Sequence, residues 1–156
     1  FYVWHDRLTT DGAIESTTVD SSATYLRWAE ENLKLNGFAL DRHRLIKQDA
    51  AAYLASLPVE PRFDLAVVDP PTYSNSKSRD QDWDVRRDHA ALLQLVIQRL
   101  SPGAILYFSS NYRRFQLDED ALSGVTIREI SRQTVPEDFR NQRIHRCWRM
   151  VAEGSS

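Results

Sequence analysis

The spacing of apolar residues changes along the chain from short continuous runs to helical intervals and back. Phe63 to Asp69 contains an unbroken apolar run, which is typical of a strand buried on both faces. Thr24 to Asn36 instead repeats apolar residues every three or four positions, as an amphipathic helix does. Capping residues support this helix, because Ser21 or Ser22 precedes it and Asn36-Gly37 follows it.

The whole chain alternates such strands with such helices. Strands are predicted at Ser16–Asp20, Arg44–Gln48, Phe63–Asp69, Ala104–Ser109, Val125–Ser131 and Arg146–Ala152. Helices are predicted at Thr24–Asn36, Ala50–Leu57, Arg86–Leu100 and, as a short element, Leu117–Leu122. The first eleven residues are ambiguous, because FYVWHDRL fits a strand or the end of one, and TTDG fits a turn. The alternation predicts an α/β fold with an open, largely parallel sheet.

Composition narrows the class of protein. A length of 156 residues suits one domain, residues 1–156. The net charge of −2 argues against a globally basic nucleic-acid binder and leaves room for a local basic face. No apolar run approaches a membrane span, and no secretory leader is visible. Cys147 is the only cysteine, so no internal disulfide can form, which fits a reducing, cytoplasmic setting.

Acidic residues end three of the predicted strands. Asp20, Asp49 and Asp69 should therefore lie along one edge of the sheet, where α/β folds bind ligands. Asp20 can accept hydrogen bonds from a ribose diol, and Asp49 can accept one from an adenine amino group. Each of these two acids can instead cap the helix that follows it. The coincidence of three strand-end acids favours a nucleoside-binding edge.

The turn Asp69-Pro70-Pro71-Thr72 is the most specific feature of the sequence. Two prolines fix the backbone φ angle twice and remove two donors, so the turn is stiff. Tyr73 then offers a ring on which a base can stack, and Asn75 and Lys77 can bond a base edge or a phosphate. The alternative is a rigid loop that merely leaves the sheet.

Basic residues near the same edge are candidate RNA contacts. Arg113 and Arg114 follow the predicted strand that ends near Ser109, and the alternative is a solvated surface pair. A later basic tract can grip phosphates or pair with acids; it consists of Arg140, Arg143, His145, Arg146 and Arg149. No set of residues has metal-ligand spacing, so no metal is expected.

Two further residue types are best interpreted as packing. For His89 a packed or capping position is favoured over a nucleic-acid contact. The tryptophans are interpreted as core or semi-buried residues, and they are Trp4, Trp28, Trp83 and Trp148. Trp83 lies in an otherwise polar segment, SRDQDWD, and is expected to anchor that loop.

A series of segments, in order along most of residues 16–150, resembles one known family. The segments are STTVDSSATYLRWAEENLKLNGF, RLIKQDA, DPPTYSNSKSRDQDWDVRRDHAALL, ILYFSSNYRRF and DFRNQRIHRCWRM. The chain looks like the S-adenosylmethionine-dependent methyltransferases that modify large-subunit ribosomal RNA in bacteria. Within that family it is most similar to the C-terminal half of a bifunctional guanine methyltransferase, the half that makes 7-methylguanine.

The resemblance implies a Rossmann-like class I methyltransferase sheet with an antiparallel late strand, and S-adenosylmethionine as cofactor. It implies that Asp20, Ser21, Asp49, Ala50 and Asp69 bind the cofactor. It implies that Asp69, Pro70 and Pro71 border the methyl group and the target base, and that Thr72, Tyr73 and Asn75 complete the catalytic site. Tyr73 replaces the phenylalanine usual in the family. Large-subunit ribosomal RNA is the implied partner, with Lys77, Arg113 and Arg114 as implied contacts.

The resemblance also bears on which atom is methylated. Relatives that methylate cytosine C5 need a cysteine nucleophile after the strand that here is ILYFSSN. Ser109 and Ser110 stand there and Cys147 is far away in sequence, so C5 methylation is disfavoured. Guanine N7 has an available lone pair and needs no nucleophilic side chain, so catalysis can consist mainly of aligning N7 with the methyl sulfonium.

One departure from the family is the segment before STTVD. The family has a first strand and a glycine-rich turn there, whereas FYVWHDRLTTDGAIE contains only Gly12. The expectation is a sheet that lacks its first strand and glycine loop, in a chain truncated at its N-terminus and part of a longer protein. This departure keeps open a noncatalytic remnant that binds RNA or scaffolds a partner. A nicotinamide-dependent oxidoreductase is weakly supported, because it requires a Gly-x-Gly-x-x-Gly turn.

Overall fold

A computed structural model describes residues 2–9, 12–60, 63–75, 82–135 and 145–154, with backbone alone for residues 2–9 and 12–14. The strands are β1 (Tyr2–Thr9), β2 (Gly12–Asp20), β3 (His43–Lys47), β4 (Phe63–Val68), β5 (Tyr73–Ser74), β6 (Trp83–Asp84), β7 (Leu100–Ser110), β8 (Val125–Glu129) and β9 (Arg146–Ala152). The helices are α1 (Ala23–Leu35), α2 (Ala50–Ser56), α3 (Val85–Ile97) and α4 (Ser131–Thr134).

Seven of these strands form one mixed sheet in the order β3-β2-β1-β4-β7-β9-β8, and β5 pairs with β6 in a separate ribbon. The pairs β2/β3 and β4/β7 are parallel, whereas β1 and β9 are each antiparallel to both of their neighbours. Five strands of the sheet therefore run in one direction. The α/β class and the antiparallel late strand predicted from the sequence are confirmed.

The centre of the sheet is occupied by β1, the segment whose sequence is ambiguous. β1 joins β2 as an antiparallel hairpin in which Thr9 faces Gly12. It therefore leads into a strand and not into a helix, and the described residues include no glycine-rich strand-to-helix turn at this point. Beyond β2 the chain moves outward to β3 and then returns past β1 to β4. Such a reversal of strand order is where open α/β sheets form their ligand crevice.

Helices cover both faces of the sheet. The β2–α1–β3 crossover moves toward one edge, whereas β3–α2–β4 and β4–α3–β7 move toward the other. Because such crossovers are right-handed, α1 lies on one face and α2 and α3 lie on the opposite face. Direct contact between α2 and α3 agrees with this arrangement.

An aromatic cluster between α3 and the sheet forms the densest part of the core. Phe108, Phe115 and Trp148 are almost completely buried, and Phe115 lies 5.4 Å from Phe108 and 5.3 Å from Trp148 between ring centroids. His89 packs on Phe115 at 4.8 Å and bonds the Val85 carbonyl oxygen through Nδ1 at 2.7 Å. The interpretation of His89 as a packed residue is confirmed.

Two predictions about local structure are wrong. Leu117–Leu122 is not a helix: a six-residue segment forms too few hydrogen bonds to offset the cost of nucleation, and within it there is one turn bond, from Leu122 N–H to the Glu119 carbonyl. Trp28 is not a core residue, since it is 53% exposed on α1. Trp83 and Trp148 are buried as predicted, and the side chain of Trp4 lies outside the described part.

Smaller differences concern element ends. The predicted helix Arg86–Leu100 ends earlier, at Ile97, because Leu100 already pairs with Phe63 as the start of β7. The helix α1 begins after Ser22, whose side chain accepts a bond from Tyr25 N–H, and it ends before Gly37 in the left-handed region, at φ 74°.

Candidate active site

An open cleft of about 720 Å³ lies at the carboxyl ends of β2, β3, β4 and β7. Its volume falls in the range typical of small-molecule sites. The lining residues are Asp20, Ser21, Ser22, Tyr25, Trp28, Ala29, Asn32, Gln48, Asp49, Ala50, Asp69, Pro70, Pro71, Tyr73, Ser74, Trp83 and Asn111. The cleft thus combines carboxylates, aromatic rings and amides at the switch point of the sheet.

The three strand-end acids meet in this cleft, as the sequence predicts for their position. Asp20 is 8% exposed, and its Oδ1 accepts a hydrogen bond from Ser22 N–H at 2.7 Å. Asp49 is the N-cap of α2, and its Oδ1 accepts a bond from Ala52 N–H at 3.0 Å. For Asp49 the capping alternative is therefore realised while the residue still lines the cleft.

Trp83 fixes the position of the Asp69-Pro70-Pro71-Thr72 turn. The indole Nε1 of Trp83 donates to the Pro71 carbonyl oxygen at 2.8 Å, and the ring is only 5% exposed. Val85 N–H donates to the Thr72 carbonyl oxygen at 3.0 Å, which ties the turn to the start of α3. Trp83 is buried as expected and anchors the proline turn, whereas the first part of its own segment, residues 78–81, lies outside the described residues. The turn is thus fixed by packing as well as by its prolines.

The ribbon of β5 and β6 projects Tyr73 at the mouth of the cleft. The Tyr73 ring is 57% exposed, and its hydroxyl donates to Asp82 Oδ2 at 2.6 Å, which raises the pKa of Tyr73. At the end of β6, hydrogen bonds from Arg86 lower the pKa of Asp84 to about 2. The ribbon therefore presents an aromatic surface in a fixed orientation beside the cleft.

The end of β7 contacts the acid of the proline turn. Ser109 Oγ donates to Asp69 Oδ1 at 2.6 Å, which orients that carboxylate. Cys147 is the direct β9 partner of Ser109, so a residue that is distant in sequence is near in space. It is 6% exposed and does not line the cleft, and burial raises the pKa of its thiol. A buried thiol with a raised pKa is a poor nucleophile.

The other candidate residues lie outside the cleft lining. Thr72 and Asn75 are exposed beside the proline turn, and Arg113 and Arg114 are exposed in the turn after β7. Lys77, Arg140 and Arg143 fall outside the described residues. In the basic tract Arg146 pairs with Glu129 at 2.8 Å, so the acid-pairing alternative holds for that residue.

Several lining residues were missed by the sequence reading. Tyr25, Trp28, Ala29 and Asn32 follow each other at helical spacing and form the face of α1 that borders the cleft. The sequence predicts an amphipathic helix here, but apolar spacing does not show what the apolar face contacts. Asn111 directly follows β7, so extending the strand-end rule from acids to amides would have identified it.

Comparison with curated proteins finds relatives at about half sequence identity. Over 142 residues the chain is 51% identical to the ribosomal RNA large subunit methyltransferase K/L of Ectopseudomonas mendocina, a match covering 90% of this chain and 19% of that protein. It is 47% identical over 140 residues to the ribosomal RNA large subunit methyltransferase K of Neisseria meningitidis serogroup B, covering 89% of this chain and 40% of that protein. The chain is a homologue of these large-subunit ribosomal RNA methyltransferases. No family model matches it.

The resemblance inferred from the sequence is thus confirmed for this segment of the K/L and K methyltransferases. The chain spans only 19% of the K/L relative and 40% of the K relative.

Solved structures show the same fold. A protein described as a methyltransferase and solved in complex with SAH superposes with a TM-score of 0.72 at 16% identity, covering 90% of this chain and 40% of that one. The SAM-dependent methyltransferase of Agrobacterium tumefaciens superposes with a TM-score of 0.66 at 21% identity, covering 91% of this chain and 49% of that one. The sheet therefore has the same Rossmann-like fold as these two proteins.

The last properties of the described residues concern metal ions and membranes. They contain no group of three or more His, Cys, Asp or Glu side chains placed to hold a metal ion. Within the same residues no helix has the length and apolar character needed to cross a membrane.

Proposed function

We propose that this chain is the catalytic part of an S-adenosylmethionine-dependent methyltransferase that modifies large-subunit ribosomal RNA at guanine N7. The observation that carries the proposal is the cleft in which Asp20, Asp49 and the Asp69-Pro70-Pro71 turn meet at the sheet's switch point. The K/L and K relatives, at 51% and 47% identity, support ribosomal RNA as the substrate.

The donor set in the cleft fits a nucleoside cofactor. A carboxylate offers about four acceptor positions, so Asp20 can bond Ser22 N–H and a ribose diol together. Asp49 and the buried Ala50 lie at the adjacent strand end, where they would border the adenine. The acids also suit the positive charge of a sulfonium. Asp20, Ser21, Asp49 and Ala50 would thus hold the nucleoside, with Asp69 toward the methyl group.

The residues around Asp69 would position the base. Tyr73 offers an exposed ring for stacking, and the turn fixed by Trp83 sets the distance between that ring and Asp69. The guanine N7 lone pair lies in the plane of the ring and needs no general base, so these residues act by alignment.

S-adenosylmethionine, held by Asp20, Ser21, Asp49 and Ala50, would supply an electrophilic methyl group, and the guanine N7 lone pair can accept a methyl group without losing a proton. In this scheme Thr72 and Asn75 flank the base, and Arg113, Arg114 and Lys77 contact the RNA backbone. Arg113 and Arg114 are exposed on the same side as the end of β7, which suits phosphate contacts.

Replacement of Asp20 tests the cofactor site. We expect Asp20→Ala to weaken S-adenosylhomocysteine binding by about 10- to 100-fold, because hydrogen bonds to a buried carboxylate are lost. Isothermal titration calorimetry measures the affinity of the wild type and of each variant for S-adenosylhomocysteine. Asp41→Ala is the matched control, since Asp41 is an exposed turn acid outside the cleft. Equal affinities for all three proteins would show that Asp20 does not bind the cofactor.

A noncatalytic, RNA-binding or scaffolding protein is the second candidate. It is favoured by the β1–β2 hairpin, which replaces a strand-to-helix glycine turn at the centre of the sheet. Such a turn lets the backbone approach the methionine part of the cofactor. The calorimetric titration separates the candidates, because a noncatalytic protein is expected to bind RNA but no S-adenosylhomocysteine.

Replacement of Cys147 tests the choice of atom. We expect Cys147→Ala to methylate RNA within about twofold of wild type, since a buried thiol outside the cleft forms no covalent intermediate. Nucleoside analysis by mass spectrometry should show 7-methylguanine from both proteins. Loss of activity together with a 5-methylcytosine product from the wild type would instead identify Cys147 as a nucleophile.

A further inference from the structure

We propose that Asn111 selects guanine by donating a hydrogen bond from Nδ2 to the base's O6, and that His145 sets the orientation of that amide. The inference rests on the proposed function, because it concerns how the same cleft recognises its target base. Asn111 directly follows β7 and lines the cleft opposite the carboxyl ends of β2 and β3.

The position of Asn111 places it beside the reacting groups. β7 is hydrogen-bonded in parallel to β4, so the residues that end the two strands are neighbours. Ser109, two residues before Asn111, bonds the Asp69 carboxylate at 2.6 Å. A base that stacks near Tyr73 and faces Asp69 therefore has the Asn111 amide at its edge.

The amide of Asn111 is oriented by its contact with His145. The Oδ1 atom of Asn111 lies 3.3 Å from His145 Nδ1. An amide oxygen can only accept, so Nδ1 must carry the hydrogen and donate it. With Oδ1 turned toward His145, the group that Asn111 offers to a ligand is Nδ2, which has two N–H donors.

A donor at this place distinguishes the two purines. Next to N7, guanine carries the acceptor O6, whereas adenine carries an amino donor. A donor on O6 leaves the N7 lone pair uncovered for the methyl group. If the base is adenine, the same N–H meets the amino group, which is also a donor, so neither group finds an acceptor. Asn111 would therefore favour guanine and reject adenine.

Asn111→Asp is the sharpest test, because it keeps the shape of the side chain and replaces the donor with an acceptor. We expect 7-methylguanine formation on a large-subunit ribosomal RNA transcript to fall by about 10- to 100-fold, because the variant loses one hydrogen bond to the base and places an acceptor against O6. Affinity for S-adenosylhomocysteine should stay within about threefold, because Asn111 would contact the base and not the cofactor. An unchanged rate, or a parallel loss of cofactor affinity, overturns the inference.

The role of His145 is tested in a double-mutant cycle. We expect His145→Ala to slow methylation by about threefold to tenfold in wild type and to have no further effect beside Asn111→Ala, since it acts through Asn111. An equal effect in both backgrounds shows that His145 acts elsewhere. A wild-type protein that methylates no RNA overturns the proposed function and this inference together, whereas an active wild type with unaffected variants overturns this inference alone.

Discussion

Asp69→Ala is expected to lower the rate of methyl transfer by about 100-fold or more, the loss typical of misplacing reacting groups by about an ångström. Asp69 stands where the proline turn, β4 and β7 meet, and Ser109 Oγ fixes its carboxylate at 2.6 Å. Removing the carboxylate takes away the group that would orient the base against the methyl donor. A radiolabelled methyl-transfer assay on large-subunit ribosomal RNA measures the loss.

Two further variants make the Asp69 result specific. Asp69→Asn keeps an oxygen that can accept from Ser109 and removes the charge, so it separates orientation from electrostatics. Asp120→Ala removes an exposed acid in the turn before β8, outside the cleft, and should be fully active. An Asp69→Ala protein that is folded and as active as Asp120→Ala would exclude Asp69 from the reaction.

Trp83→Ala is expected to lower the free energy of unfolding by about 3–5 kcal/mol, the usual cost of truncating a buried tryptophan. The ring is 5% exposed, and its Nε1 bond to the Pro71 carbonyl is lost with it. Urea denaturation followed by circular dichroism gives the value. Because the same bond holds the proline turn, methyl transfer should also fall at temperatures where the variant is still folded.

The chain offers a matched control for this variant in Trp28. Trp28→Ala removes the same side chain from a position that is 53% exposed, so the free energy of unfolding should fall by only about 0.5 kcal/mol. Equal losses of stability for the two variants would contradict the buried anchor. Trp28→Ala also tests whether the face of α1 that lines the cleft contacts the ligand. Trp28 lines the cleft, so its removal can weaken ligand binding while the free energy of unfolding stays nearly the same.

The features predicted well from the sequence depend on short-range rules. Ligands bind at the carboxyl ends of the strands in α/β sheets, so the sequence alone predicts that Asp20, Asp49 and Asp69 lie together, as they do in the cleft. The roles of these residues remain predictions. Trp83 was identifiable because a large aromatic residue in a polar segment needs a buried partner.

The features that were missed depend on tertiary structure. Apolar spacing in α1 shows that the helix has one apolar face, and only the fold shows that Tyr25 and Trp28 on it border a cleft. The contact of Cys147 with the end of β7 arises from the pairing of β7 with β9, across 38 residues of sequence (147 minus 109). The place of β1 between β2 and β4 is likewise a matter of strand order, which local patterns do not encode.

The three carboxylates of the cleft also make it selective for the charge of what enters. Their combined field attracts a cation and repels phosphate. In the proposed reaction the methyl donor is a sulfonium cation and the spent cofactor has lost that charge, so the field favours exchange of product for fresh donor. In that reaction the same field would keep the RNA backbone at the rim, and a base turned out of its stack would be the part of the polymer that enters.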